Sequence, residues 1–92
     1  MKKVQIIINS ESGLHARPAS VFVQEAKRFK SQITLRNLAL SSAPVDAKSI
    51  LAILTLGVEK DHNIEIEANG SDENQAIDQL EELIKSGFSY IK

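Results

Sequence analysis

The 92-residue sequence predicts an α+β fold, in which a mostly antiparallel four-stranded sheet carries three helices on one face and meets water on the other. Apolar residues alternate in three segments, and a further short extended piece supplies a fourth strand. Two longer segments and one short apolar run have features of helices instead. The order is strand, helix, strand, strand, short helix, strand, helix. The length suits one domain, residues 1–92, with a single core.

The first strand and the first helix are predicted near the N-terminus. Val4, Ile6 and Ile8 alternate with Gln5, Ile7 and Asn9, as in a strand that is covered on at least one face. The sequence NSESG then ends this strand. From Ala16 to Lys30 the apolar residues recur at helical spacing, with polar residues on the other side. The apolar positions of this helix are Ala19, Phe22, Val23, Ala26 and Phe29.

Three strands and a short helix are predicted in the middle of the chain. QITLRN and NIEIEANG alternate as strands. A short extended piece around Val45 is expected to pair with the first of them, although LALSSAPVD has no clean hairpin turn. The segment SILAILTLG, Ser49 to Gly57, has a capping serine and a terminating glycine, so it predicts a small helix.

The last predicted helix begins after Gly70, with Ser71 or Asp72 as its cap and acidic residues in its first turn. Its apolar residues share one face, which is expected to pack on the sheet. These residues are Ala76, Ile77, Leu80, Leu83 and Ile84. Residues 86–92 are predicted to be a tail.

Composition excludes several classes of function. The net charge is −1 with 25% charged residues, so no general field attracts nucleic acid or an anionic membrane. The chain has no cysteine, which excludes disulfides, thiolate metal sites and thiol nucleophiles and favours the cytosol. The apolar run near the N-terminus is interrupted at Asn9 and lacks a cleavage site, so it predicts a strand rather than a signal peptide. No segment predicts insertion into a membrane.

The stretch SGLHARPAS places His15 and Arg17 where the first helix is expected to begin. Unpaired amides and the helix dipole stabilise a phosphate at such a position and favour a neutral, nucleophilic imidazole. Arg17 has donors that suit phosphate oxygens, and Pro18 is tolerated in a first turn. These residues suit reversible phosphorylation of histidine. A surface histidine followed by an ordinary Arg-Pro helix start remains the alternative interpretation.

Other chemical sites are not indicated. His62 has no second histidine at metal-binding spacing, so it is interpreted as a turn residue. The acidic segment SDENQAIDQLEE lacks the glycine and ligand spacing of a calcium loop. There is neither a glycine-rich phosphate loop nor an aromatic and basic platform for RNA. The sequence therefore predicts no metal, no cofactor and no nucleic-acid partner.

GLHARPAS, AKSILAILTLG and the order of elements together resemble the histidine-containing phosphocarrier (HPr) family of the bacterial sugar phosphotransferase system, over about residues 2–85. The resemblance implies a βαββαβα open-faced sandwich that carries a phosphoryl group on His15, with the arginine role falling on Arg17. It also implies partners: a general phosphoenolpyruvate-dependent enzyme as donor and sugar-specific transfer proteins as acceptors. Such a protein is a cytoplasmic transfer intermediate rather than a stand-alone catalyst.

The same resemblance implies roles for the short helix. Some family members are phosphorylated by a kinase on a serine that opens this helix, and Ser49 matches that position, although serine is also a preferred N-cap without any regulation. If Ile53 and Leu56 turn inward, Ile50 and Leu54 form an outer face. The resemblance implies that this face docks partners near the histidine. The alternative interpretation makes these residues part of the core.

Two features keep other functions open. The segment RNLALSSAPVDAK is longer than is usual in the family and lacks its Asn-Gly type of turn, which leaves kinase recognition less certain than the histidine. The second hypothesis is therefore a regulatory module that is phosphorylated on Ser49 and binds a transcription factor or a metabolic enzyme. A third, a small-ligand sensor, would require a pocket that the sequence does not indicate.

Overall fold

The computed structural model describes residues 1–88 and has the predicted α+β architecture, with one four-stranded sheet and three α-helices. The elements in chain order are β1 (Lys2–Ile7), α1 (Ala16–Ala26), β2 (Gln32–Asn37), β3 (Val45–Asp46), α2 (Ile50–Thr55), β4 (Asn63–Asn69) and α3 (Glu73–Lys85). A 3-10 turn, Leu38–Leu40, follows β2. The open-faced fold predicted from the order of elements is confirmed.

The strands form an antiparallel sheet in the order β1, β4, β2, β3. β4 is central, with Lys2 of β1 opposite Ala68 on one side and Gln32 of β2 opposite Asn69 on the other. Because side chains alternate along a strand, the apolar half of each strand faces the helices. The buried apolar residues of β1, β2 and β4 are Ile6, Ile33, Leu35, Ile64, Ile66 and Ala68.

The other face of the sheet is polar and open to solvent, as predicted. The Arg36 side chain donates to Glu65 at 3.0 Å across β2 and β4, and Lys3 lies 3.7 Å from Glu67 across β1 and β4. Directly opposite pairs of unlike charge favour the observed register. Ile7, at the end of β1, is the exception to the polar pattern and is 58% exposed.

The helices close the core on the covered side. α3 packs against β1 and β4, while α1 packs against both α2 and α3. The buried face of α3 is the predicted one, and Phe22 of α1 is fully buried at the centre of the core. Within residues 1–88, every helix is too short or too polar to cross a membrane.

α1 ends at Ala26, earlier than the predicted end at Lys30. The amides of Arg28 and Phe29 donate to carbonyls three residues back, at 3.1 and 3.3 Å, which tightens the chain and ends the α-helix. Phe29 still packs against the core from this turn. Its apolar side chain therefore fits the helical pattern although its backbone has left the helix.

Asp72 occupies the predicted cap position of α3, but its side chain makes no capping hydrogen bond. The carboxylate instead accepts the Ser31 hydroxyl and the amides of Lys30 and Ser31 at 2.5 to 2.9 Å. These hydrogen bonds, led by that from the hydroxyl, hold the pKa of Asp72 below its usual value. Their contribution to stability is present above the ordinary carboxyl pKa and is lost as the pH falls through the lower folded value.

The packed part of the chain extends past the predicted end of the core at residue 85. Phe88, which was predicted to lie in the tail, is 8% exposed and belongs to the core cluster. Gly87 has a φ of +70°, and the Phe88 amide donates to the Leu83 carbonyl at 2.9 Å, so the chain turns back over α3. The rest of the predicted tail, residues 89–92, lies outside the described residues.

The long connection between β2 and β3 has no tight hairpin turn, as its sequence predicted. Asn37, fully buried at the end of β2, accepts the Ala39 amide at 3.0 Å and so starts the 3-10 turn. Its side-chain nitrogen lies 3.1 Å from the Leu56 carbonyl and 3.2 Å from Nδ1 of His62. One side chain thus joins this connection to the end of α2 and to the start of β4.

Candidate functional site

His15 is the residue at which α1 begins, as the sequence predicted. It has extended backbone angles at the N-cap position, and its side chain does not cap the helix, so the ring is available for other contacts. The ring is partly exposed, with 37% of its side-chain surface accessible. The first amides of α1 have no partners within the helix and give this end a partial positive charge. His15 therefore lies where an arriving phosphate is stabilised.

Two loops hold His15 in place. The first, residues 8–15, joins β1 to α1, and the second, residues 56–62, joins α2 to β4. The Leu14 amide donates to the Val58 carbonyl at 3.0 Å, and Leu14 is fully buried. Within the first loop, the Ser10 hydroxyl donates to the Gly13 carbonyl at 2.7 Å. The residue before the histidine is thus fixed to the segment that follows α2. This places the C-terminal end of α2 beside the start of α1.

Gly13 allows the two loops to approach. It has a φ of +61°, and a Cβ atom on it would lie 2.2 Å from the Val58 carbonyl oxygen and 2.7 Å from the Glu59 Cα. A side chain cannot fit at those distances, and non-glycine residues disfavour this φ. The glycine seen in the sequence before the histidine is therefore required by a close backbone contact.

Ala16 connects His15 to the helix in a strained conformation. Its φ is 52°, in the left-handed region, which costs a non-glycine residue roughly 1–2 kcal/mol. The contact between Leu14 and Val58 fixes the chain on one side of Ala16, and α1 fixes it on the other. These constraints maintain the turn that points the histidine away from the core.

Glu59 is a site residue that the sequence analysis missed. Its Oε2 lies 2.9 Å from Nε2 of His15. A carboxylate only accepts hydrogen bonds, so in the neutral ring this contact assigns the proton to Nε2 and leaves the lone pair on Nδ1. Glu59 is far from His15 in sequence, and only the packing of the two loops brings them together. Nδ1 is the nitrogen that remains available to a phosphoryl group.

His62 supports the Glu59 loop and does not contact His15. Its Nδ1 accepts the Glu59 amide at 3.0 Å and is also in contact with the Asn37 side chain. The prediction that His62 is a turn residue fits this geometry. No group of three or more His, Cys, Asp or Glu residues within residues 1–88 is placed to hold a metal ion.

Arg17 is exposed in the first turn of α1. Within residues 1–88 its guanidinium makes no hydrogen bond or ion pair, so it is not committed to another group. The structure places it two residues from His15 at the same helix end. Arg17 therefore has its guanidinium donors, which suit phosphate oxygens, available at this helix end.

Ser49 precedes α2 as its N-cap, and Ile50 and Leu54 lie on the helix itself. The Ser49 hydroxyl accepts the Ala52 amide at 3.3 Å, which is the predicted N-cap contact. Ile50 and Leu54 are 38% and 39% exposed, whereas Ile53 is fully buried. The predicted outer face is therefore present. Leu51, at 74% exposed, adds to it and was not predicted.

The described geometry can be compared with known proteins. A family model described as the PTS HPr component phosphorylation site matches residues 2–86. The chain belongs to the HPr family. Most of the chain is matched, including both loops of the site and all three helices.

Individual HPr relatives agree with this assignment. The phosphocarrier protein HPr of Mycoplasma pneumoniae is 35% identical over 85 residues, which cover 92% of this chain and 94% of that protein. The crystal structure of HPr-C-His from Thermoanaerobacter tengcongensis has a TM-score of 0.91 at 45% identity and covers 96% of each chain.

A longer protein also contains an HPr-like region. The multiphosphoryl transfer protein of Haemophilus influenzae is 45% identical over 81 residues, which are 88% of this chain but 16% of that protein. The chain thus spans a small part of this relative and nearly the whole of the Mycoplasma one.

Proposed function

We propose that the chain is a phosphoryl carrier, which accepts a phosphoryl group on His15 from a phosphoenolpyruvate-dependent enzyme and passes it to sugar-specific transfer proteins. The observation that carries this proposal is the geometry of His15 at the start of α1, with Nε2 bonded to Glu59 and Nδ1 left free. Membership of the HPr family supports the same chemistry. The carrier would work in the cytoplasm, where phosphoenolpyruvate is made.

The transfer step follows from the free nitrogen. The lone pair on Nδ1 of His15 attacks the phosphorus of a phosphohistidine on the donor enzyme. A new P–N bond forms on His15 while the donor's P–N bond breaks, and its electron pair returns to the donor's imidazole. The reverse step delivers the group to the next protein. No cofactor is needed, because the energy of the P–N bond is retained in each exchange.

Acid-labile phosphate is the direct test of this proposal. The purified chain is incubated with phosphoenolpyruvate and the general first enzyme of a sugar phosphotransferase system. One phosphoryl group that is lost in acid and kept in base supports a phosphohistidine. A chain that remains unlabelled at high donor concentration, while a known carrier is labelled in the same mixture, would contradict the proposal.

Arg17→Glu is expected to slow phosphorylation of His15 by roughly tenfold or more, because a negative charge replaces the cation that stabilises the phosphate. The initial rate of labelling measures the effect. Lys27→Glu is the matched control, since it makes the same charge change at the other end of α1. Equal rates for Arg17→Glu and Lys27→Glu would show that Arg17 has no specific contact with the phosphate.

The exposed face of α2 is the proposed docking surface for both partners. We define this α2 face as Ile50, Leu51 and Leu54, all of which are exposed. Val58, only a few residues after Leu54, is bonded to the loop that carries His15. A partner that covers the α2 face would therefore extend over the histidine and exclude water from it.

Leu54→Asp is expected to weaken binding to the donor enzyme about tenfold, or about 1.4 kcal/mol, since it places a charge in an apolar contact. Titration calorimetry with the donor measures the affinity, and a thermal melt checks the fold. Ile7→Asp is the matched control because Ile7 is an exposed isoleucine on the opposite, open face of the sheet. The proposal fails if both variants lose affinity equally.

Phosphorylation of Ser49 stays a prediction. The hydroxyl already acts as an N-cap, and this role alone explains a serine at that position. A phosphate there would lie at the start of α2 and would add about −1.5 to −2 charges next to the α2 face, which disfavours docking. Peptide mapping of the chain after treatment with ATP and a serine kinase of such a system checks the modification.

A further inference from the structure

We propose that Glu59 is a positioning residue for phosphoryl transfer, which holds His15 in the Nε2–H tautomer and stabilises the positive charge that the ring gains on phosphorylation. This inference rests on the proposed carrier function. The contact that carries it is the 2.9 Å distance between Oε2 of Glu59 and Nε2 of His15.

The tautomer decides whether His15 can react. A neutral imidazole carries its proton on one nitrogen, and only the other nitrogen has a lone pair in the ring plane. The Glu59 carboxylate favours the proton on Nε2, so it keeps the lone pair on Nδ1. Without this contact both tautomers are populated, and part of the protein presents a protonated Nδ1 that cannot attack phosphorus.

The charge on the ring changes during transfer. When Nδ1 bonds to phosphorus, the ring keeps the proton on Nε2 and becomes cationic, which strengthens its hydrogen bond to a carboxylate. The negative charge of Glu59 also repels the incoming phosphoryl oxygens. Those oxygens, however, are bound at Nδ1, on the side of the ring away from Glu59. The attraction between the Glu59 carboxylate and the cationic ring acts at hydrogen-bond distance. Because Coulomb energy falls with distance, the attraction is the larger effect.

The loop geometry keeps the Glu59 carboxylate available. Its backbone amide donates to Nδ1 of His62 at 3.0 Å, which fixes the residue near the end of the loop. The neighbouring Lys60 does not neutralise it, because the Lys60 ammonium pairs with Glu11 at 2.8 Å. That pairing lowers the pKa of Glu11 and raises the pKa of Lys60, mainly through their shared hydrogen bond. The cation next to Glu59 is thus committed to the other loop.

The test compares the parent chain with Glu59→Gln and with Asp61→Asn. Both variants remove one negative charge from the same loop, but only Glu59 contacts His15, and Asp61 is exposed. Each protein is phosphorylated by the purified donor enzyme with phosphoenolpyruvate, and the rate at saturating donor is measured. Nitrogen-15 NMR of the histidine ring reports the tautomer in the unphosphorylated protein.

We expect Glu59→Gln to lower the rate about tenfold, at the lower end of what a charge-assisted hydrogen bond contributes. The spectrum should change from Nε2–H alone to a mixture of tautomers, because an amide can either accept from Nε2–H or donate to an unprotonated Nε2. Asp61→Asn should resemble the parent in both measurements. Glu59→Asp, which keeps a carboxylate on a shorter side chain, should recover part of the rate. A thermal melt within the range of the parent confirms that the variants fold.

Two results would overturn the inference. One is an unchanged rate in Glu59→Gln, because a neutral amide would then serve His15 as well as the carboxylate does. The other is an equal loss of rate in Asp61→Asn, which would assign the effect to net charge. Both differ from a failure of the carrier function, in which the parent chain itself accepts no phosphate.

Discussion

His15→Ala is expected to abolish acid-labile labelling of the chain completely. The substitution removes the free imidazole nitrogen at the start of α1, and neither the backbone amides nor the permanently protonated Arg17 guanidinium can replace it as a nucleophile. Stability should change little, because the ring is partly exposed and its one hydrogen bond is to the exposed Glu59. Labelling with phosphoenolpyruvate and the donor enzyme measures the first effect, and a thermal melt measures the second.

His62→Ala is the informative comparison for this experiment. It removes the other histidine of the chain, which contacts the Glu59 amide and the Asn37 side chain but not a reacting atom. The variant should still accept a phosphoryl group, at a reduced rate. If His15→Ala were labelled as fully as the parent while His62→Ala were not, the phosphoryl acceptor would be His62 and the assignment of His15 would be wrong.

Gly13→Ala is expected to lower the free energy of unfolding more than any other substitution that adds one methyl group to the site. The new Cβ would lie 2.2 Å from the Val58 carbonyl oxygen, and the φ of +61° is unfavourable for alanine. The strained φ contributes roughly 1–2 kcal/mol and the clash about 1–3 kcal/mol, so a loss of about 2–5 kcal/mol follows. Denaturant unfolding measures it.

Gly87→Ala separates the two causes. Gly87 has a similar φ of +70°, but nothing lies within 4 Å of the position where a Cβ would be added. This variant should lose only the contribution of the strained φ. Gly13→Ala should lose more stability and also transfer phosphate more slowly, because the loops that hold His15 and Glu59 must separate. Equal losses in the two variants would mean that the Val58 contact is relieved without cost.

The sequence was sufficient to predict the order of elements, because the alternation in β1, β2 and β4 and the helical spacing in α3 reflect which faces are buried. It also predicted Ser49 as a cap and Ile53 as inward, since both depend on neighbours within one short helix. The position of His15 at the start of α1 followed in the same way from local signals. Local periodicity therefore determined most of the fold.

Features that depend on distant residues were not predicted. α1 ends at Ala26 in a turn of shorter-range hydrogen bonds, and the residues after that turn are bonded to Asp72, far along the chain. Glu59 looks like an ordinary loop carboxylate in the sequence, and only the contact between two loops makes it a partner of His15. Gly13, two residues before the histidine, indicated a close approach, but the sequence alone does not say which segment approaches.

The central position of β4 has a consequence for the order in which this protein can fold. β1 and β2 do not pair with each other, and both pair with β4. β1 begins at Lys2 and β4 ends at Asn69, so the first and the last strand in the sequence are neighbours in the sheet. A chain emerging from the ribosome therefore has no partner for β1 until residues 63–69 have been made. The segment that holds Glu59 comes just before them, so acceptor competence arises late in synthesis. Pairing between strands that are far apart in the sequence also lowers the folding rate relative to helical bundles of the same size.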